Sequence, residues 1–231
     1  MKVALVFTGH MRCWKQTFLY FKENFVDKYN ADVYIDTWDT EGWWQWGDFY
    51  KESSKVDFSE LKQYYNPLHV RVEEYSFFNE KFLERSKQFT NSIGWPKNAI
   101  SMMYKWHSGI GMLQKQYDLV IRTRSDLQFI QPLPNFDPSI FYTPEHPGLN
   151  QGGLGDMMHV GNQQDMVLFS KIYNELELIY QNTDIFCPHL MTEKYIKMLS
   201  LNHVEFKADY ILHNTPWGRH QDVTKFIGEN K

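Results

Sequence analysis

Cysteine is scarce in this chain, with only Cys13 and Cys187 among 231 residues. That excludes a disulfide-dense scaffold and a cysteine-based zinc site, which need more cysteines at short spacings. A reduced, intracellular setting is the simplest reading. A single Cys13–Cys187 bridge stays open if the two Cα atoms lie within about 7 Å. Long apolar runs are missing too. Nothing approaches the ~20 apolar residues of a membrane span. The opening Met1–Phe7 run is too short for a signal-peptide core before it meets Thr8-Gly9-His10. The expectation is a cytoplasmic protein without an integral membrane segment, which reaches any membrane-bound substrate peripherally. There is no basic excess either, since the formal net charge is −4. General nucleic-acid binders carry such an excess, so nucleic acid is not an expected partner. Neither a P-loop nor a dinucleotide fingerprint is present, because both require several glycines at fixed spacing. No internal repeat, low-complexity segment or linker divides the chain.

Aromatic side chains, in contrast, are abundant at 17% of residues, within a hydrophobic fraction of 42%. A chain of this length can bury the core of one large α/β domain. Val3–Phe7 reads as a fully buried strand. From Arg12 to Tyr29, the residues Trp14, Phe18, Phe21, Phe25 and Tyr29 recur at helical spacing. Asp32–Asp36 reads as a second strand, so the opening is strand–helix–strand and implies a parallel pair with a right-handed crossover. The spacing further predicts a helix at 58–65, a strand at 69–75, an irregular or short helical excursion at 77–92 and a helix at 98–116. After Asp126, prolines punctuate a loop-rich section with short strands at 140–143 and 157–160. Helices are expected at 163–180 and 188–201, then short strands at 204–206 and 210–212. The fold class read from this pattern is α/β, with a mostly parallel central sheet flanked by helices.

The chemistry concentrates in Tyr117-Asp118-Leu119-Val120-Ile121-Arg122-Thr123-Arg124-Ser125-Asp126. This buried-strand pattern ends abruptly in two arginines and a carboxylate. Open α/β sheets build ligand sites at the carboxyl ends of their strands. Persisting extended geometry would put Arg122, Arg124 and Asp126 on one strand face. Two readings stand side by side: a site for a phosphorylated ligand, or a structural salt-bridge cluster, since buried charge needs a partner.

Asp126 is the leading ligand for Mg²⁺ or Mn²⁺, which prefer carboxylate oxygens. His213, after a late strand, is a possible second ligand. Arg122 and Arg124 either bind a diphosphate directly or orient Asp126. The turn Thr8-Gly9-His10-Met11-Arg12 lies between the first strand and first helix. There glycine permits close backbone approach, N–H groups suit an anion and Arg12 adds charge. Asp156, in the mobile glycine-rich loop Gln151–Asp156, is either a candidate general base or a loop aspartate with a turn role. His159 and Asn162 are candidate polar contacts. Trp43, Trp44 and Trp46 make either an apolar face for a sugar ring, a lid, or core.

These elements together resemble a GT-A-type glycosyltransferase, in particular small soluble enzymes of viral and bacterial glycan assembly. The resemblance rests on the opening Leu5-x-x-x-Gly9-x-x-Arg12, the early Thr37-Trp38-Asp39, and the strand ending in Arg124-Ser125-Asp126, where that fold carries Asp-x-Asp. It implies a single GT-A-like domain over 1–231, with a nucleotide-sugar-binding part at 1–130 and an acceptor-side part at 131–231. It implies a nucleotide-sugar donor, a UDP-sugar, and a glycan or glycoconjugate acceptor. Base and ribose contacts would come from Thr8, Gly9, Arg12 and the Asp39 region. Asp126 would hold Mn²⁺ or Mg²⁺ against the diphosphate, with His213 as a further ligand. The chain departs from the pattern where Arg124 replaces the first aspartate, which leaves open a cationic site in which arginines take over part of the metal's role. The alternatives are a sugar-nucleotide nucleotidyltransferase, a non-catalytic carbohydrate-binding module and a nucleotide-binding scaffold.

Overall fold

The computed structural model describes residues 1–42, 54–145, 152–207 and 209–213, with the backbone of 45–46 and 49–50. Trp43, Trp44 and the side chain of Trp46 therefore lie outside the described residues, as do Pro147 and Gln151.

The chain opens with β1 (Val3–Gly9), α1 (Trp14–Phe21) and β2 (Asp32–Trp38). Two short strands follow, β3 (Gln45–Trp46) and β4 (Phe49–Tyr50). Next come α2 (Phe58–Tyr65), β5 (His69–Glu73), α3 (Tyr75–Ser86) and α4 (Pro96–Ile110). β6 (Leu119–Thr123) and β7 (Leu127–Phe129) carry the charged segment, followed by β8 (Phe141–Pro144) and β9 (Met158–Gly161). The chain continues through α5 (Gln163–Ser170), α6 (Leu176–Thr183), α7 (Pro188–Met198), β10 (His203–Phe206) and β11 (Tyr210–Leu212). Among the described residues, no helix is long and apolar enough to cross a membrane.

The fold is α/β, built on a seven-stranded, mostly parallel sheet in the order β10-β8-β9-β6-β1-β2-β5. Only β9 runs against its neighbours. β1 is central, with β2 on one side and β6 on the other. Such a strand is covered on both faces, which is why Val3–Phe7 is uninterruptedly apolar. Ala4, Val6 and Val120 face Ile100, Met103, Trp106 and Ile110 of α4. Leu5, Phe7, Leu119 and Ile121 face the opposite way, toward Trp14 and Phe21 of α1 and Leu61 and Tyr65 of α2. The chain thus places α1 and α2 on one face, then crosses to the other with α4 and enters β6 beyond β1. The strand order reverses there, and the crevice at the carboxyl ends of β1 and β6 is the topological switch point where open α/β sheets take ligands.

Several elements depart from the sequence reading. The helix after Arg12 begins at Trp14 and passes into a π-helical turn at Lys22–Asp27, which keeps Phe25 buried. The 77–92 segment holds a regular helix, α3, whose Phe78 and Phe82 pack on Trp38. The 163–180 segment breaks at a 3₁₀ turn, Lys171–Tyr173, and α4 ends at Ile110 rather than Gln116. β6 ends at Thr123, and the chain turns at Ser125-Asp126 before β7. The assumed strand alternation through Asp126 therefore does not hold. Gly109 lets α4 approach β1, because a Cβ there would lie 2.6 Å from the Thr8 methyl group.

Candidate functional site

The turn after β1 and the turn after β6 lock together. Ser125 Oγ donates to the Arg12 carbonyl at 2.9 Å, and Thr17 Oγ1 donates to the Ser125 carbonyl. Gly9 takes φ +96° and Cys13 φ 47°, which folds Thr8–Arg12 back over the strand end. A cavity of about 550 Å³ opens there. It brings together Thr8, Gly9, Arg12, Arg122, Arg124, Asp126 and Asp156 from three chain segments: the end of β1 with the turn after it, the end of β6 with the turn after it, and the loop before β9. Seven of the residues singled out in the sequence thus line one cavity.

Arg122 is buried, at 2% exposure. Its Nε donates to Thr8 Oγ1 at 2.8 Å and its Nη1 to the Asp156 carbonyl at 2.7 Å, while its guanidinium lies 4.6 Å from the Trp106 ring centre. Burial pulls its pKa down to about 9, against the opposing charge of Asp156. It remains cationic at neutral pH. Arg124 grips Asp126 with both prongs, Nε to Oδ1 at 2.6 Å and Nη2 to Oδ2 at 2.7 Å. Burial disfavours both charges, yet each holds the other ionised: Arg124 is raised and Asp126 lowered from their ordinary values. The salt-bridge reading of this segment is therefore realised, inside the cavity. Arg12 lines the cavity with a buried Nε that meets no hydrogen-bond partner among the described residues. Burial lowers its pKa, with Asp126 acting against that and Arg124 with it.

Asp156 has a buried Oδ1 with no hydrogen-bond partner among the described residues, in the wall of the cavity. Its loop is packed rather than loose. Gly153, at φ +99°, lies against the His189 backbone, where a Cβ would come within 2.6 Å.

Four predicted residues, Asp39, His213, Asn162 and His159, stand outside the cavity lining. Asp39 accepts from the Tyr75 N–H at 3.0 Å, fixing the start of α3, and lies 3.6 Å from Lys55 Nζ. His213 donates its N–H to the Asp126 carbonyl at 3.0 Å, while its ring Nε2 lies 2.7 Å from Gln128 Oε1. Asn162 caps α5 by accepting from the Asp165 N–H. His159 is buried behind Arg122 against Trp106 and Phe169. Cys13 and Cys187 form no disulfide.

The Mg²⁺ or Mn²⁺ expectation meets an unfavourable donor set. Both oxygens of Asp126 bond to Arg124, and the His213 ring engages Gln128. No group of three or more His, Cys, Asp or Glu suited to a metal occurs among the described residues.

The cavity also contains residues that the sequence reading did not single out. α4 and α7 both begin on it, each with proline in its first turn, no acidic residue there and no side-chain cap. Helix starts of this kind present N–H groups and partial positive charge to an anion. A pair of main-chain bonds, Ile93 N–H to Phe186 O and Phe186 N–H to Asn91 O, ties the two approaches together. Trp38, Tyr75 and Trp95 supply an aromatic wall, with Trp95 60% exposed. His10 donates through Nδ1 to the Thr40 carbonyl at 3.0 Å. Burial, with Arg12, lowers its pKa to about 3, so it is neutral at physiological pH. Pro96 and Pro188 are sequence signs of helix starts, but their convergence on the β1 turn is a long-range contact with no local signature.

No protein-family model matches this chain, and no curated protein matches it.

Proposed function

We propose that this chain is a GT-A-type glycosyltransferase that moves a sugar from a nucleotide-sugar donor, a UDP-sugar, to a hydroxyl of a glycan or glycoconjugate. One observation carries the reading. Three guanidiniums and two uncapped helix starts meet in one cavity at the switch point of an open α/β sheet. That collection favours a polyanion, and a nucleoside diphosphate fits both the charge and the adjoining aromatic wall. A cavity of about 550 Å³ lies within the size range of small-ligand sites.

In the proposed reaction, the bond between the sugar's anomeric carbon and the diphosphate oxygen breaks, and the acceptor oxygen bonds to that carbon. Arginines stabilise the negative charge that develops on the departing nucleoside diphosphate. Asp156, which lines the cavity and has an oxygen without a hydrogen-bond partner among the described residues, takes the acceptor's hydroxyl proton in an inverting displacement. The setting is cytoplasmic, with any membrane-bound acceptor met peripherally.

Titration calorimetry with UDP, GDP and CDP tests the donor site. UDP is expected to bind best. Failure of all three nucleotides to bind would remove the basis of the donor reading.

A further inference from the structure

The carboxylate that the resemblance assigns to a metal is already committed. Asp126 gives one oxygen to Arg124 Nε and the other to Arg124 Nη2. A dication on Asp126 would share that carboxylate with a guanidinium, and like charges so close repel strongly. Arg12 is in a different position. It faces the same cavity, and among the described residues its buried Nε has no hydrogen-bond partner and its guanidinium no ion pair, with the charge of nearby Asp126 acting on it only through space. Arg122 is held by Thr8 and a main-chain oxygen, neither of which carries a formal charge.

We infer that the cavity takes the diphosphate group of its ligand without a divalent cation, with Arg12 as the diphosphate-binding cation and Asp126 as a positioning residue that fixes Arg124. This rests on the donor-site reading above and names how that site binds. Arg12 contributes charge-assisted hydrogen bonds that become satisfied only when the anion arrives. Asp126 keeps the Arg124 side chain in one orientation, so the cavity is arranged before binding.

The test uses the full chain and two probes, UDP and inorganic pyrophosphate. Each is titrated by calorimetry in chelator and again with Mn²⁺. The expected result is that UDP and pyrophosphate bind in chelator, and that Mn²⁺ changes UDP affinity by less than about twofold, well under one charge-assisted contact. Arg12→Gln should weaken both probes by about tenfold or more, the loss of such a contact. Arg12→Lys should fall between, because it keeps the charge but loses the fork. Thermal melts of both variants report whether each is folded.

UDP binding that needs Mn²⁺ would overturn the metal-free inference and leave the donor reading intact. Unchanged affinity in a folded Arg12→Gln variant would overturn the role of Arg12. Pyrophosphate binding without UDP binding would uphold the diphosphate site and reject the nucleotide. No binding of either probe would reject both.

Discussion

Arg124 and Asp126 form a two-pronged ion pair within a single turn, with contacts of 2.6 and 2.7 Å. Asp126 is 3% exposed at its side chain and Arg124 19%. Asp126→Asn leaves that guanidinium without its counter-charge, and removing one member of a buried pair costs about 3–5 kcal/mol. Arg124 holds the Asp126 carboxyl below its ordinary value despite burial. The pair's contribution is therefore complete above the unfolded-chain value of about 3.9 and is lost as pH falls through the lower folded value. Urea unfolding should show a constant stability gap between wild type and Asp126→Asn from neutral pH down to about 5, closing below about 4. A gap that stays constant through the acid limb would mean that the pair does not titrate as described.

His159 makes a second pH dependence of distinct origin. Burial, assisted by Arg122, keeps it well below 6.5. The unfolded chain takes up this proton below about pH 6.5 while the folded chain does not. Stability is therefore full above that pH and falls with acidification, by about 1.4 kcal/mol per pH unit per group until the folded histidine itself titrates. His10 acts with the same sign down to about 3. His159→Gln should reduce the slope of stability against pH between about 4 and 6 by one proton's share. An unchanged slope would show that His159 is already protonated in the native state.

Trp95 stands 60% exposed at the cavity and packs little of the core. Trp95→Ala should change stability by less than about 0.5 kcal/mol, as expected for an exposed site. If the ring carries the uracil or a sugar face, nucleotide or donor binding weakens by about 1–3 kcal/mol, the range for stacking on an aromatic side chain. Calorimetry and thermal melts on the same variant separate the two effects. Weaker stability with unaltered binding would move Trp95 out of the site.

Asp156→Asn leaves the main-chain oxygen that bonds Arg122 in place but removes the carboxylate proposed as the base. Turnover should fall by about 10²–10⁴-fold, the usual contribution of a positioned general base. UDP affinity should hold or tighten, since a negative charge has left the cavity. An affinity loss as large as the rate loss would make Asp156 a binding residue instead.

Parts of this arrangement were legible in the sequence for identifiable reasons. β1, β2 and β6 are buried strands, and Val3–Phe7, Val33–Ile35 and Leu119–Ile121 within them read as apolar runs. Arg122, Arg124 and Asp126 lie so close in sequence that any fold placing Leu119–Thr123 in the sheet brings them together at the carboxyl end of that strand. The π-helical turn in Lys22–Asp27 and the break at Lys171–Tyr173 leave the spacing of large apolar residues almost helical, so periodicity passes over them. α3 draws its order from packing Phe78 and Phe82 on Trp38, a contact distant in sequence. Lys105 is the sharpest example. It sits fully buried on α4, bonded to Asp36 at 2.8 Å and Glu73 at 2.6 Å, with its Nζ 4.1 Å from the Trp38 ring centre. A lysine on an amphipathic helix reads as solvent-facing, and its partners are 69 and 32 residues away. The separation of Asp39 and His213 from the cavity was hidden for the same reason, because their partners Tyr75 and Gln128 are set by the tertiary fold.

The most direct measurement is release of UDP from a panel of UDP-sugars by the full chain, with and without simple glycan acceptors, beside Asp156→Asn. The account predicts that wild type releases UDP from at least one donor, that a suitable acceptor accelerates release, and that Asp156→Asn abolishes the acceleration while still binding UDP. Tight UDP binding with no release from any UDP-sugar would contradict it, and would make the cavity a nucleotide-binding site without transferase chemistry.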